Sequence, residues 1–242
     1  MKQPKTKQSF RDCWGDLATE KVLRNIELTQ QKIIPESWDI TEDDIFVGNK
    51  FGLRWEFIEY GGYALVAKDW TSKLAKWIGS RKCLEIGAGA GMLAKALLDC
   101  GVDLIAVDDF SWKKFPLWKK NLGKRLWAEI HWSKSHVAIR KYGKETDILI
   151  MSWPPQETIL DLVTGKSRYT GAMAVNAVKQ FKKYNPDGLI VYIGEDRGGC
   201  TANGAFFNAV EFIKNDRNFN AAAKLFKSWP LIYDGLFLAK AK

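Results

Sequence analysis

The sequence predicts an α/β fold, a mostly parallel sheet with crossover helices, preceded by a helical N-terminal extension. Two observations carry that expectation. After Gly79, short apolar runs of strand length alternate with segments of helical period, as in strand–helix–strand units. Before Gly79 the apolar residues fall instead at helical spacing. At 242 residues the chain accommodates one or two domains of about 150 residues, with a full core and no need of a disulfide or metal staple. The expected division is residues 1–80 as a helical extension or lid and residues 81–242 as the main domain.

In chain order, Leu17, Val22, Ile26 and Ile33 are loosely spaced for one helical face. Val66, Trp70, Leu74, Trp77 and Ile78 fit a second helix better. An acidic, loop-like stretch (Glu42-Asp43-Asp44) and a Gly61-Gly62 breaker lie between them. The strand-length runs follow, each with its helical partner. Lys82 to Ile86 precedes Met92 to Leu98, and Asp103 to Val107 precedes a basic segment. Asp147 to Ser152 precedes Met173 to Phe181, and Gly188 to Ile193 precedes Ala205 to Ile213. At the end, Lys224 to Phe226 and Leu236 to Ala239 flank Trp229-Pro230 with no helix between them, which predicts an antiparallel pair.

Composition excludes several classes. No apolar run approaches the roughly 18 residues of a membrane span. Met1 to Phe10 is polar and basic, without the apolar stretch of a secretory signal. Cys13, Cys83, Cys100 and Cys200 form no Cys-x-x-Cys pair, so reduced thiols in a cytoplasmic protein are expected. With His131 and His136 the only histidines, a histidine-rich metal centre is not expected, and both read as edge-strand side chains.

The sharpest local signal is Glu85-Ile86-Gly87-Ala88-Gly89-Ala90-Gly91, between a predicted strand and a predicted helix. Glycines there allow a tight turn and close approach of backbone to a ligand, and the helix start offers N–H groups. A dinucleotide fingerprint needs a third glycine at position 92, which is Met92. The next strand ends in Asp108, twenty-one residues after Gly87, where a carboxylate suits ribose hydroxyls. The bland reading is a glycine-rich connecting turn.

On these residues the chain resembles the Rossmann-like class I S-adenosylmethionine-dependent methyltransferases, from Cys83 to Lys242. The resemblance implies a seven-stranded sheet in the order 3-2-1-4-5-7-6 and S-adenosylmethionine as cofactor. Glu85, Gly87, Gly89 and Gly91 would surround its methionine part and Asp108 would hold its ribose. The family's acid after strand three has no counterpart in Ile130-His131-Trp132-Ser133, where Trp132 or Ser133 would have to serve the adenine.

After the fourth strand, Ser152-Trp153-Pro154-Pro155-Gln156 resembles the Asp/Asn/Ser-Pro-Pro-aromatic motif of methyltransferases acting on nitrogen. That motif accepts amino hydrogens and stacks a planar acceptor, which is largely positioning work. Here Trp153 precedes the prolines and Gln156 replaces the aromatic. One reading makes Trp153 the stacking platform with Ser152 or Gln156 as hydrogen-bond partner. The other makes the loop rigid with Trp153 packed in the core. After strand five, Glu195 and Asp196 are either general-base candidates or solvated loop charges. Cys200 reads as a plain thiol rather than a nucleophile.

The formal charge of +9 is concentrated between Trp112 and Lys144, where ten basic residues face one acid, Glu129, and four tryptophans are interleaved. This segment is expected to span the second crossover helix, the third strand and a following loop. Phosphate contacts with base stacking would suit it, giving RNA or DNA as a partner. A solvated helix face with inward tryptophans fits the same residues, as does an edge for small acidic metabolites or an acidic protein. The expected function is therefore an S-adenosylmethionine-dependent methyltransferase acting on a nitrogen, with RNA or DNA as an acceptor to test. The alternatives are a small-molecule methyltransferase whose first eighty residues form a lid, and an inactive binding module on the same scaffold.

Overall fold

A computed structural model describes residues 19–41, 52–114, 126–156 and 172–242. Among the described residues, three helices come first: α1 (Glu20–Gln30), α2 (Gly52–Tyr60) and α3 (Lys68–Ile78). Then β1 (Cys83–Ile86), α4 (Met92–Asp99) and β2 (Leu104–Asp108) form the first crossover unit. A short 3-10 turn (Ser111–Lys114) leads towards β3 (His131–Trp132), α5 (Ser135–Tyr142) and β4 (Ile148–Ser152). The remaining elements are α6 (Ala172–Tyr184), β5 (Leu189–Glu195), α7 (Gly204–Ala209), β6 (Val210–Phe212), α8 (Arg217–Ala223) and β7 (Asp234–Ala241).

The strands form one sheet in the order 3-2-1-4-5-7-6, as expected for the Rossmann-like fold. Strands β1 to β5 are parallel to their neighbours, and β7 runs antiparallel to both β5 and β6. The central strands are apolar except at Glu85 and at their ends, Asp108, Ser152 and Glu195, because helices cover both faces of the sheet. Side chains alternate between those faces. Ile148, Ile150, Val191 and Ile193 enter one buried cluster, while Leu149, Met151, Ile190 and Tyr192 enter the other. Each such fully buried aliphatic or aromatic side chain contributes roughly 1.5–3 kcal/mol.

The N-terminal helices share the first of these clusters. Val22, Ile26, Trp38, Phe57 and Trp70 pack in it with Leu97, Val191 and Trp229. Phe57 meets Trp38 edge-on at 5.4 Å and Trp229 at 5.5 Å between ring centroids. Trp38 and Trp70 place their indole N–H groups on the backbone carbonyls of Val66 and Leu65, so neither leaves a buried donor unmet.

Three expectations are corrected. Lys224 to Phe226 is not a strand. Phe219, Ala222 and Phe226 lie at helical spacing and bury one face against α3, with Phe226 5.3 Å from Trp70 and Phe219 5.0 Å from Trp77. The sixth strand is instead Val210–Phe212, where the helix expected over Ala205 to Ile213 ends at Ala209. Short apolar runs fit either period, and pairing with β7 decides this one. Finally, α5 replaces the loop expected after strand three, because Ala138 and Ile139 bury a helical face. His136 therefore sits on that helix, exposed, and only His131 is an edge-strand residue. The acidic stretch Glu42-Asp43-Asp44 lies outside the described residues. Among the described residues, no helix is long and apolar enough to cross a membrane.

Candidate active site

The loop between β1 and α4 is built by backbone that only glycine adopts cheaply. Gly87, Gly89 and Gly91 have φ of +66°, +59° and +81°. Their surroundings differ. A Cβ on Gly91 would lie 2.6 Å from Ile130 Cδ1, whereas one on Gly89 would meet nothing within 4 Å. Gly91 is thus a packing position, and Gly89 borders open space. Three of the loop's N–H groups are already engaged: Ala88 donates to Val107 O at 3.1 Å, Gly89 to Asp108 Oδ2 at 2.8 Å, and Gly91 to Ala88 O at 2.9 Å.

Asp108 ends β2 at 5% exposure and accepts two further bonds on Oδ1, from Phe110 N at 2.6 Å and Trp112 Nε1 at 3.0 Å. Burial pushes its carboxyl above the usual range despite these donors. Its neighbour Asp109 is exposed and accepts from Ser111 N at 2.9 Å. Glu85 is 1% exposed, and its Oε2 has no hydrogen-bond partner among the described residues. Burial first, then the nearby Asp108 charge, pushes Glu85 up to about 8.

Trp153 follows β4 in left-handed backbone, φ +50°, a conformation shared by Phe110 after β2 and Ala202 after β5, at +51° each. Its N–H bonds Ile193 O at 2.7 Å, its indole Nε1 bonds Asp234 Oδ2 at 2.8 Å, and its ring stacks on Tyr63 at 5.3 Å and 16°. Trp153 is therefore a half-buried platform anchored from behind, which combines parts of both sequence readings. The prolines are held too. Ala202 N donates to Pro154 O at 2.9 Å, and Pro155 pairs with Thr201 in an isolated bridge.

The turn that supports this loop accounts for Glu195. Its carboxylate accepts from the backbone N–H groups of Cys200 and, at 3.3 Å, Tyr233. Thr201 Oγ1 accepts from Glu195 N at 2.7 Å and lies 2.7 Å from the Tyr192 hydroxyl. A Cβ on Gly199 would fall 2.7 Å from Glu195 Oε2, so glycine is required for closure. Both donors to the Glu195 carboxylate are backbone N–H groups, and Glu195 is not among the residues that line the cavity described below. Asp196 is exposed and caps Arg197 N. Burial and then Glu195 hold the Cys200 thiol above its ordinary range, the opposite of an activated nucleophile.

Behind Trp153 lies a residue that sequence reasoning missed. Arg54, on α2, is buried at 9% exposure, and its Nε and Nη2 have no hydrogen-bond partner among the described residues. Its guanidinium carbon lies 5.3 Å from the Trp153 ring centroid and 5.9 Å from that of Tyr63. Burial lowers its pKa, opposed chiefly by the Asp234 charge. Asp234 is pushed up to about 6, mainly by burial. Nothing local in the sequence pairs α2 with the start of β7. The Gly61-Gly62 breaker was the only trace of the turn that delivers Tyr63.

These elements enclose a cavity of about 600 Å³. It brings together Glu85, Gly87, Gly89, Asp108, Ser152, Trp153, Pro154 and Pro155, with Asp109 and Trp112 beside them and Trp55, Glu59 and Tyr63 opposite from the N-terminal residues. Gly91, Gln156 and Glu195 are not in its lining, and neither Trp132 nor Ser133 reaches it. Trp132 is 70% exposed at the sheet edge, and Ser133 N bonds Asp108 O at 3.1 Å. Of the basic segment, Trp112 and Ser135 reach the cavity, while Lys134, Arg140, Lys141 and Lys144 are exposed outside it. Trp127 is buried with its indole N–H on Tyr60 O. Lys119, Lys120, Lys124, Arg125 and Trp118 lie outside the described residues.

Compared with protein-family models and with curated proteins, the sequence matches none. Several solved structures are similar to the chain at low identity. An S-adenosylmethionine-dependent methyltransferase from Bacteroides fragilis, in complex with S-adenosyl-L-homocysteine, is 16% identical over 71% of this chain and 76% of its own, with a TM-score of 0.38. The methyltransferase CalH, also in complex with S-adenosylhomocysteine, is 14% identical over 92% and 66%, TM-score 0.41. A precorrin-6y C5,15-methyltransferase from Geobacter metallireducens is 11% identical over 72% and 86%, TM-score 0.41.

Proposed function

We propose that this chain is an S-adenosylmethionine-dependent methyltransferase that transfers the methyl group to a nitrogen atom. The observation that carries this reading is the glycine loop with Glu85 beneath it. Three of the loop's amides, those of Ala88, Gly89 and Gly91, are engaged by Val107, Asp108 and Ala88, and the carboxylate of Asp108 abuts Gly89. A dinucleotide pyrophosphate needs free N–H donors at such a loop and would meet a carboxylate instead. A ligand carrying ammonium and hydroxyl groups finds what it needs. Glu85 Oε2 offers an unpartnered acceptor, and Gly89 leaves open the space a side chain would fill.

In this reading Glu85 and the glycines hold the methionine part of the cofactor, and Asp108 with Asp109 hold the ribose. Asp108 keeps little free acceptor capacity, so the exposed Asp109 shares that task. When bound, the cofactor supplies a methyl group on a positively charged sulfur, open to attack by a lone pair. The chain's contribution is positioning. Ser152 presents a polar group at the end of β4, and Trp153, fixed by Asp234 and Tyr63, supplies a flat wall. The N-terminal extension acts as a roof, through Trp55, Glu59 and Tyr63, that keeps water from the reacting atoms. No acid in this arrangement needs to act as a general base.

A second reading, RNA or DNA as the acceptor, is favoured by one observation: Lys134, Arg140, Lys141 and Lys144 are exposed on the segment that runs from β3 through α5 to β4. They lie outside the cavity, so a polyanion would dock on that segment rather than within the cavity. The decisive experiment is isothermal titration of S-adenosylhomocysteine, with binding expected for the wild type and lost in Gly87→Arg. No binding by the wild type refutes the cofactor assignment. A labelled-methyl transfer screen over RNA, DNA, protein and metabolite fractions then separates nitrogen transfer from an inactive binding module.

A further inference from the structure

Resting on the cofactor reading above, we infer that the methyl acceptor is a ring nitrogen of a small, neutral aromatic heterocycle. Such a nitrogen carries a lone pair in the ring plane and no proton. Its methylation calls for aromatic walls and for no base. The acids bear on the second point. Glu195 gives its carboxylate to the backbone N–H groups of Cys200 and Tyr233 and does not line the cavity. Asp234 is outside the lining too, and one of its oxygens holds the Trp153 indole. Asp108 accepts three hydrogen bonds, and Glu85 and Asp109 lie with it beside the glycine loop, in the cofactor half. Glu59, on α2, is engaged in an interaction of its own. The carbonyl of Pro154, which could receive an amino hydrogen, already accepts from Ala202 N at 2.9 Å. Ser152 adds a hydroxyl, a weak base at neutral pH. For an acceptor that must shed a proton, none of the described residues of the acceptor half is left to take it.

The rings bear on the first point. Trp55, Tyr63 and Trp153 all line the cavity, and Tyr63 stacks on Trp153 within 16° of parallel. Ile58, Pro155 and Met173 join them in the lining, so a flat apolar molecule is well matched. In the transfer the nitrogen lone pair forms the N–CH3 bond as the S–CH3 bond breaks, and the electron pair of that bond stays on sulfur. The positive charge passes from sulfur to the ring nitrogen, and no proton leaves. Aromatic faces attract a cation more than a neutral ring, so they favour the transition state over the bound acceptor. Arg54 does not cancel this effect, because it lies outside the lining and its charge is countered chiefly by Asp234.

The test compares isoquinoline, tetrahydroisoquinoline and 2-naphthol, bicycles of similar size that offer an unprotonated ring nitrogen, a protonated amine and a hydroxyl. With labelled S-adenosylmethionine at neutral pH, isoquinoline is expected to be methylated at least tenfold faster than either. Its product should stay on a cation exchanger in strong alkali, since a methylated ring nitrogen has no proton to give up. Calorimetry supplies a readout besides turnover. Isoquinoline should bind protein saturated with S-adenosylhomocysteine, and Trp55→Leu should weaken that binding severalfold while changing S-adenosylhomocysteine affinity less than twofold. Trp55 is 53% exposed on its helix, so its replacement leaves the fold intact. Faster transfer to tetrahydroisoquinoline, 2-naphthol or an RNA oligonucleotide, a product that loses its charge in alkali, or isoquinoline binding indifferent to Trp55→Leu overturns the proposal. S-adenosylhomocysteine binding without transfer to isoquinoline overturns this proposal alone. If the wild type does not bind S-adenosylhomocysteine, the cofactor reading falls and takes the proposal with it.

Discussion

The indole Nε1 of Trp153 donates to Asp234 Oδ2 at 2.8 Å across 81 residues of sequence. The contact follows from topology. β7 runs antiparallel to β5, so its first residue, Asp234, pairs with Glu195 at the edge where the parallel strands end. The loop after β4 and the start of β7 therefore meet, and the platform residue acquires an anchor. Asp234→Ala should remove that anchor, leave a half-buried N–H unpaired and lower stability by about 1–3 kcal/mol. Asp234→Asn, which keeps an acceptor oxygen, should cost less. Urea unfolding followed by tryptophan fluorescence measures both, and equal losses would contradict the anchor.

Glu85 makes stability depend on pH. Its folded pKa of about 8 lies above the ordinary 4.5, so the contribution of its neutral form is complete below about 4.5 and lost as pH rises through 8. Glu85→Gln should match the wild type near pH 4.5 and melt at a higher temperature at pH 8.5. Binding an ammonium group beside Glu85 favours its carboxylate, so at pH 7 the wild type should release up to about one proton on taking S-adenosylhomocysteine. Titrations in buffers of different ionisation heat measure this, and the release should vanish in Glu85→Gln.

Two glycines of one loop should fail differently. Gly91→Ala places a Cβ 2.6 Å from Ile130 Cδ1 at φ +81°, so overpacking and backbone strain together should cost about 2–4 kcal/mol. Gly89→Ala meets no neighbour and should cost about 1 kcal/mol, yet reduce S-adenosylhomocysteine affinity more than tenfold by filling the ligand's space. Thermal melts paired with titration separate the two, and a Gly89→Ala protein with full affinity would remove the loop from the cofactor site.

Glu195 should act as a positioning residue. Glu195→Gln retains one acceptor for two backbone donors, and Gly199→Ala crowds the same carboxylate. Both are expected to lower the melting temperature and the rate of methyl transfer while leaving the shape of the pH–rate profile unchanged. A general base would instead take the acidic limb of that profile with it.

Charge reversal at the start and along α5 should separate the polyanion question from the chemistry. Lys134→Glu, Arg140→Glu and Lys141→Glu together should leave S-adenosylhomocysteine affinity intact, since none of the three reaches the cavity. If the segment contacts phosphates, retention on immobilised RNA should fall and its salt dependence should flatten. Unchanged retention would mark these residues as ordinary solvated charge.

The parts of the molecule that were legible in sequence are those whose signal is local. Short, largely apolar runs marked β1, β2, β4 and β5, because strands covered on both faces need them. The glycine loop and Asp108 were legible because their spacing is set within one strand–helix–strand unit. What escaped depends on partners distant in the chain. Val210–Phe212 becomes a strand only because β7 offers it a ladder. Arg54, Tyr63 and Asp234 carry no motif, and they matter because the topology sets them against Trp153. Glu195 occupies the expected place at a strand end, but the direction of its carboxylate was decided by two backbone donors that no spacing rule reveals.

Phe110, Trp153 and Ala202 are three of the five non-glycine residues with left-handed backbone among the described residues, and each follows the end of a parallel strand. Such conformations cost about 1–3 kcal/mol apiece. Glycine would relieve that strain cheaply only at Ala202, where a single methyl is lost, whereas at Trp153 it would also remove the ring that stacks on Tyr63 and bonds Asp234. A laboratory selection for heat resistance should therefore relax the corner at Ala202 and leave the strained corner at Trp153 in place.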